Sequence, residues 1–186
     1  MDKKSFQPSA ASPALSTSQT CEIMAEGGDA EAQFNLGLRH ASARVPAQDY
    51  AKAEHWYLRA AAQNHPLAHF NLGMMYAYGQ GGPCDWAKAE VWLQKAADLG
   101  DAGAQYQIGV NHHRAAVSGK NVDISQSRIN ACKWFRLAAL QGYHAAEIAG
   151  DVVSMSMTHE DVMEAGRRVV AFNIIAGTLP SPADTN

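Results

Sequence analysis

Histidines are the first residues in this chain to test for chemistry, since there are eight of them in 186 residues. His65 and His69 are four apart, a spacing that can aim two imidazoles at one metal from a helix. Pro66 opens the helix between them, however, and no cysteine or carboxylate cluster joins them. His112 and His113 are adjacent and so point in different directions. His159-Glu160 begins a zinc-protease signature that does not continue. The expectation is structural or solvated histidines and no metal site.

Other signatures also stop short. Gly79-x-Gly81 puts Cys84 where a dinucleotide fingerprint needs a glycine, and no strand precedes it. Gly119-Lys120 is followed by Asn121, without a phosphate loop before it. There is no Gly-x-Ser-x-Gly elbow and no Ser-x-x-Lys. The sequence therefore predicts no enzyme, no catalytic residue and no cofactor.

The bulk properties narrow the class further. Hydrophobic residues make up 47%, which argues for a folded core. Net charge is −3 with no lysine or arginine cluster, so nucleic acid is not an expected partner. No apolar run nears the roughly 20 residues that span a bilayer, which argues against membrane insertion. Met1 to Pro8 does not read as a signal peptide, so the expected location is cytoplasmic, or periplasmic or secreted if a leader has been removed. Cys21, Cys84 and Cys132 cannot all pair, and Cys132 reads as a buried small hydrophobe.

The elements that would position any site come from a repeat. Ala32-Gln33-Phe34-Asn35-Leu36-Gly37 returns as Ala68-His69-Phe70-Asn71-Leu72-Gly73 and again as Ala104-Gln105-Tyr106-Gln107-Ile108-Gly109, each 36 residues on. Each copy is followed by a second segment carrying Trp56-Tyr57, Trp92-Leu93 or Trp134-Phe135. A fixed period in this range marks a repeat array. Apolar and small residues in both segments recur at helical spacing, so each unit reads as an antiparallel helix pair.

The expected organisation is a flexible tail over 1–20 and one repeat domain over 21–176. Its units are 29–64, 65–100, 101–142 and a degenerate capping unit, 143–176, before a loose tail over 177–186. A short helix over Cys21 to Gly27 would form an N-terminal half-repeat. Val45-Pro46 falls in the first unit's break, and Asp49 and Asp85 are expected helix caps. Thr158 with Asp161 forms a capping-box pattern. The tryptophan spacing grows from 36 to 42, and the six added residues are expected in a loop near Ser118 to Asp123. The pair Trp56-Tyr57 and its counterparts Trp92-Leu93 and Trp134-Phe135 are expected to fill the space between units.

This pattern resembles the Sel-one-like (SLR) branch of the tetratricopeptide superfamily. The motif is Ala-x-x-x-Leu-Gly-x-x-Tyr, then Asp-x-x-Lys-Ala-x-x-Trp-aromatic-x-x-Ala-Ala-x-x-Gly. Ala68 to Tyr76 and Asp85 to Gly100 fit it almost completely. The first copy departs at His40 and Asn64, the third at His112, at Ser127 in the cap region and in the added segment. The resemblance covers roughly Gly28 to Gly142, with a weaker extension to about Phe172. It implies an all-α fold, a right-handed α-solenoid of helix pairs whose first helices line a concave groove. It also implies an adaptor or scaffold in signalling, secretion or envelope processes, largely bacterial.

If first helices line a groove, residues off the packing stripe face it. Asn35, Asn71 and Gln107 share one position, Leu38, Met74 and Val110 the next turn, and Ser42, Tyr78 and Arg114 the one after. Amides can hydrogen-bond an extended peptide, and Met and Leu add adaptable apolar contact. The alternative is that the amides bond only between neighbouring helices. The copies differ at His69 against Gln33 and at Met74, Tyr78, His113 and Arg114, where specificity would sit. The partner-binding set expected here is Asn35, Leu38, Asn71, Met74, Tyr78, Gln107, Val110, His113 and Arg114, the partner being a protein or peptide. Three rival readings are an immunity-type inhibitor of a secreted toxin, a hydrolase akin to cysteine-rich repeat proteins, and a self-assembling structural role. The second has too few cysteines here.

Overall fold

The computed structural model describes residues 17–42, 48–119 and 122–178, and these contain nine α-helices and no strand. The expected tails over 1–16 and 179–186, and Val45-Pro46, lie outside the described residues. Helix α1 spans Thr17–Glu26, α2 Ala30–Ala41, α3 Tyr50–Ala61, α4 Pro66–Tyr78 and α5 Trp86–Asp98. Then come α6 (Ala102–Ser118), α7 (Ile124–Leu140), α8 (His144–Ser154) and α9 (His159–Ile175). Because α1 starts at Thr17, the last residues of the expected N-terminal tail form its first turn. Gly177, placed in the C-terminal tail, instead ends α9: its φ is +72° and its N–H donates to the Ile174 carbonyl.

Helix starts follow from side-chain caps. Asp29, Asp49, Asp85, Asp101 and Asp123 each accept a hydrogen bond from the backbone N–H three residues on. Such caps satisfy donors that the first turn leaves unpaired. The α4 cap is His65, whose Nδ1 accepts from the Ala68 N–H at 3.3 Å while Nε2 meets Glu31 at 3.1 Å. An accepting Nδ1 carries no proton, so the hydrogen is on Nε2 and Nε2–H donates to Glu31. Thr158 caps α9, accepting from the Asp161 N–H.

Helix pairs α2/α3, α4/α5 and α6/α7 stack in chain order, an all-α solenoid of helical repeats. The last two helices, α8 and α9, both pack on α7 rather than forming a fourth pair with each other. Alanines permit the close approach: Ala53, Ala89 and Ala131, and Ala60, Ala96 and Ala138, are fully buried. Helix α1 packs ahead of α2 in the position of a second helix, with Ala25 buried as Ala61 and Ala97 are. Arg39 fastens α1 to α2 through Glu22 and Ser18.

Two sequence expectations change. The six added residues of the third unit do not make a longer loop. Both of its helices have 17 residues where those of the second unit have 13, and the connection shortens from 79–85 to 119–123. Asp123 caps α7 one turn before Ser127, which is therefore buried inside the helix rather than at its cap. Second, Trp56 and Trp92 are only half-buried, and of the three only Trp134 is buried. Of each expected pair, the residue after the tryptophan is the one buried in every repeat: Tyr57, Leu93 and Phe135.

Among the described residues no helix is long and apolar enough to cross a membrane.

Candidate functional site

The expected binding residues sit on α2, α4 and α6, held in register by the stacked pairs. Four are exposed: Asn35, Leu38, Tyr78 and Arg114. Five are half-buried: Asn71, Met74, Gln107, Val110 and His113. Met74 packs against the core around Leu93 and Ile108, and Val110 against the core around Phe135. Their apolar atoms thus contribute to packing as well as to the surface.

The amides divide in the same way. Asn35 donates to Glu31 one turn back in its own helix, at 3.2 Å. Asn71 hydrogen-bonds the Tyr57 hydroxyl, whose pKa burial nonetheless pushes up to about 12. Asn71 therefore links two neighbouring helices, as the alternative reading of the ladder holds.

Sequence reasoning missed Trp86. It follows the Asp85 cap at the start of α5 and is half exposed. The Arg114 guanidinium lies 6.0 Å from its ring centre, at the outer edge of a cation–π contact. Trp86, Glu90, Asn111, His112 and Arg114 line an open cleft between α5 and α6. Burial holds His112 below its ordinary pKa, with Glu90 acting the other way. Asn111 Oδ1 is buried there without a hydrogen-bond partner, as is His113 Nδ1 outside the cleft lining. A tryptophan just after a helix cap, where Tyr50 stands in the first unit, was the available signal.

Tyr76, the motif tyrosine, has an internal partner. Its hydroxyl donates to Glu54 at 2.5 Å, which with burial raises its pKa to about 12. Glu54 and Tyr76 thereby join α3 to α4, each side chain satisfied within the fold. Among the described residues no group of three His, Cys, Asp or Glu side chains could hold a metal ion. The arrangement suits recognition: exposed aromatic and apolar groups, one guanidinium and a few amides on a rigid helical frame.

The comparisons agree with this architecture. The Sel1 repeat family model matches residues 30–65, 66–101 and 102–143. One similar solved structure is c5321, a protective antigen of uropathogenic Escherichia coli strains that displays an SLR fold. It is 31% identical with a TM-score of 0.66, and the match covers 88% of this chain and 36% of that one. This chain thus spans about a third of that relative's length. A Sel1 repeat protein from Oxalobacter formigenes is 32% identical with a TM-score of 0.58, and the match covers 71% of this chain and 95% of that one. Among curated proteins none matches.

Proposed function

This chain belongs to the Sel1 repeat family, whose members are generally protein-interaction modules, and on that premise we propose that it binds a peptide or partner protein. The binding surface is the groove lined by first helices, with Tyr78 and Arg114 as its principal contacts and Trp86 beside them. Leu38, Asn35 and the outward parts of Asn71, Met74, Gln107, Val110 and His113 complete it. The observation that carries this reading is Tyr78, 62% exposed at the end of α4. A large aromatic left in water contributes little to folding and much to association, since such rings bury area at small entropic cost. The setting is bacterial signalling, secretion or envelope biology, in keeping with the sources of the two related structures. A cytoplasmic location is consistent with three unpaired cysteines.

The test is selection from a random peptide library on the wild-type protein, followed by titration of the enriched peptides. Tyr78→Ala combined with Arg114→Ala is expected to weaken them about tenfold or more while leaving the melting temperature unchanged. Peptides that bind wild type and variant equally would place the site elsewhere.

A further inference from the structure

In the first and third repeats a buried glutamine closes the joint with the preceding unit. Gln33 is 2% exposed and Gln105 1%. Gln33 Nε2 donates to the Ala25 carbonyl at 3.0 Å, and Gln105 Nε2 to that of Ala97 at 3.2 Å. Each Oε1 in turn accepts from a second glutamine just past the same repeat's second helix. Gln63 serves Gln33 and Gln141 serves Gln105, both at 2.9 Å. Amide thus pairs with amide in both joints.

The second repeat keeps the position but neither residue. His69 stands 36 residues after Gln33 and 36 before Gln105, and Leu99 stands where Gln63 and Gln141 do. His69 is 4% exposed, and neither of its ring nitrogens has a hydrogen-bond partner. The ring leans on Trp92, with centroids 5.4 Å apart. It borders an open cleft of about 380 Å³ between α3 and α5, lined also by Ala61, Trp92, Lys95, Asp98 and Leu99. A water occupies roughly 30 Å³, so the cleft has room for a side chain. Both nitrogens are covered, and Leu99, which shares the cleft lining and is itself exposed, offers them no polar partner where the flanking repeats place a second glutamine.

The chemistry of the cleft selects its occupant. Burial favours neutral His69, which presents one N–H and one accepting nitrogen. Lys95 and Asp98 at the rim are opposite in sign, so neither a cation nor an anion is preferred. A carboxylate can only accept and an ammonium can only donate, whereas a primary carboxamide does both. We propose that this cleft binds a glutamine or asparagine side chain of a partner polypeptide, whose carboxamide pairs with His69 in the place that Gln63 and Gln141 fill in the flanking repeats. The cleft lies between second helices, apart from the first-helix row, so either site can fail without the other.

The test is a titration of the 15N-labelled protein with N-acetylglutamine methylamide, followed through the histidine ring nitrogens. His69→Gln assigns the His69 signals. A saturable shift at the His69 nitrogens is expected, with N-acetylglutamate methylamide at least about tenfold weaker. The variant His69→Gln with Leu99→Gln rebuilds the flanking arrangement and fills the cleft. Its Trp92 indole signal is expected to ignore the probe, and its melting temperature to rise. No saturable shift at His69, equal binding of the glutamate probe, or an unchanged Trp92 response in the filled variant would each overturn the proposal. Were the filled variant not to fold, the two probe titrations on the wild type would still decide.

Discussion

Gly37 lies directly against the ring of Tyr57: a Cβ on Gly37 would sit 2.5 Å from both Cδ1 and Cε1. The same contact recurs between Gly73 and Leu93 at 2.7 Å, and between Gly109 and Phe135 at 2.7 Å. The glycine of each first helix is thus a socket, and the residue after each tryptophan is the plug. In an ordinary helix, glycine to alanine gains about 1 kcal/mol. Here the overpacking penalty, typically about 1–3 kcal/mol, opposes that gain. Gly37→Ala and Gly109→Ala are therefore expected to lower unfolding free energy in urea. Gly166→Ala, whose nearest neighbour would be the end of Arg136 at 3.5 Å, should be neutral or stabilising. Equal effects at all three would remove the socket from the account.

The tryptophans differ in what covers them. Trp134 is 4% exposed, with Phe172 of α9 edge-on at 5.5 Å and the Lys133 ammonium 3.9 Å from its ring centre. Trp56 is half-buried, with the Arg59 guanidinium 4.9 Å from its ring centre. Trp134→Ala should cost about 3–5 kcal/mol, as for a buried aromatic in a tight core. Trp56→Ala should cost less, because water already reaches part of that ring. Thermal unfolding of the two variants gives the comparison, and equal losses would contradict the difference in burial.

The helix pairs and the Asp49 and Asp85 caps were legible because they depend on local spacing alone. The plug was not. Trp56 and Tyr57 are adjacent, and helical periodicity does not say which of two neighbouring positions faces the first helix. The length of the third unit's helices was hidden too, since a change of period gives only a net insertion. Gln33 and Gln105 read as polar and variable, yet they are buried. Their partners Gln63 and Gln141 lie more than a helix away, and such pairings leave no local pattern. For the candidate surface, sequence spacing gave the row of positions, while the burial of Met74 and Val110 depended on packing between units.

The amide joint between repeats is itself testable. Gln105→Leu keeps an apolar volume in place but removes the side-chain donor to the Ala97 carbonyl, which the Gly100 N–H still serves. It also removes the acceptor of the exposed Gln141 amide. An intramolecular hydrogen bond contributes about 0.5–1.5 kcal/mol net. A loss of that size is expected in urea unfolding of Gln105→Leu, with little loss for Gln63→Ala, whose amide is on the exposed side of its pair. If Gln105→Leu is as stable as the wild type, the joint contributes no net energy.

Acid should loosen the fold through its histidines before its carboxylates. Burial lowers the pKa of His40, His69 and His112 from 6.5. Arg39 and Lys52 lower His40 further against Asp49 and Glu22, and Lys95 and His65 lower His69, with Asp98 at the rim of its cleft. For His112, Glu90 opposes the burial effect and Lys133 adds to it. All three stay neutral in the folded chain where their unfolded counterparts take up protons. The unfolded state then binds more protons, so stability falls as pH drops from about 7 to about 5. The lowered carboxyls Asp49, Asp85, Asp161 and Glu164 act in the same direction but only in more acidic solution, and the raised Asp101 acts against them. Urea midpoints across this window should fall for the wild type and fall less steeply for His69→Gln. An unchanged slope in His69→Gln would mean that His69 is free to protonate in the folded state.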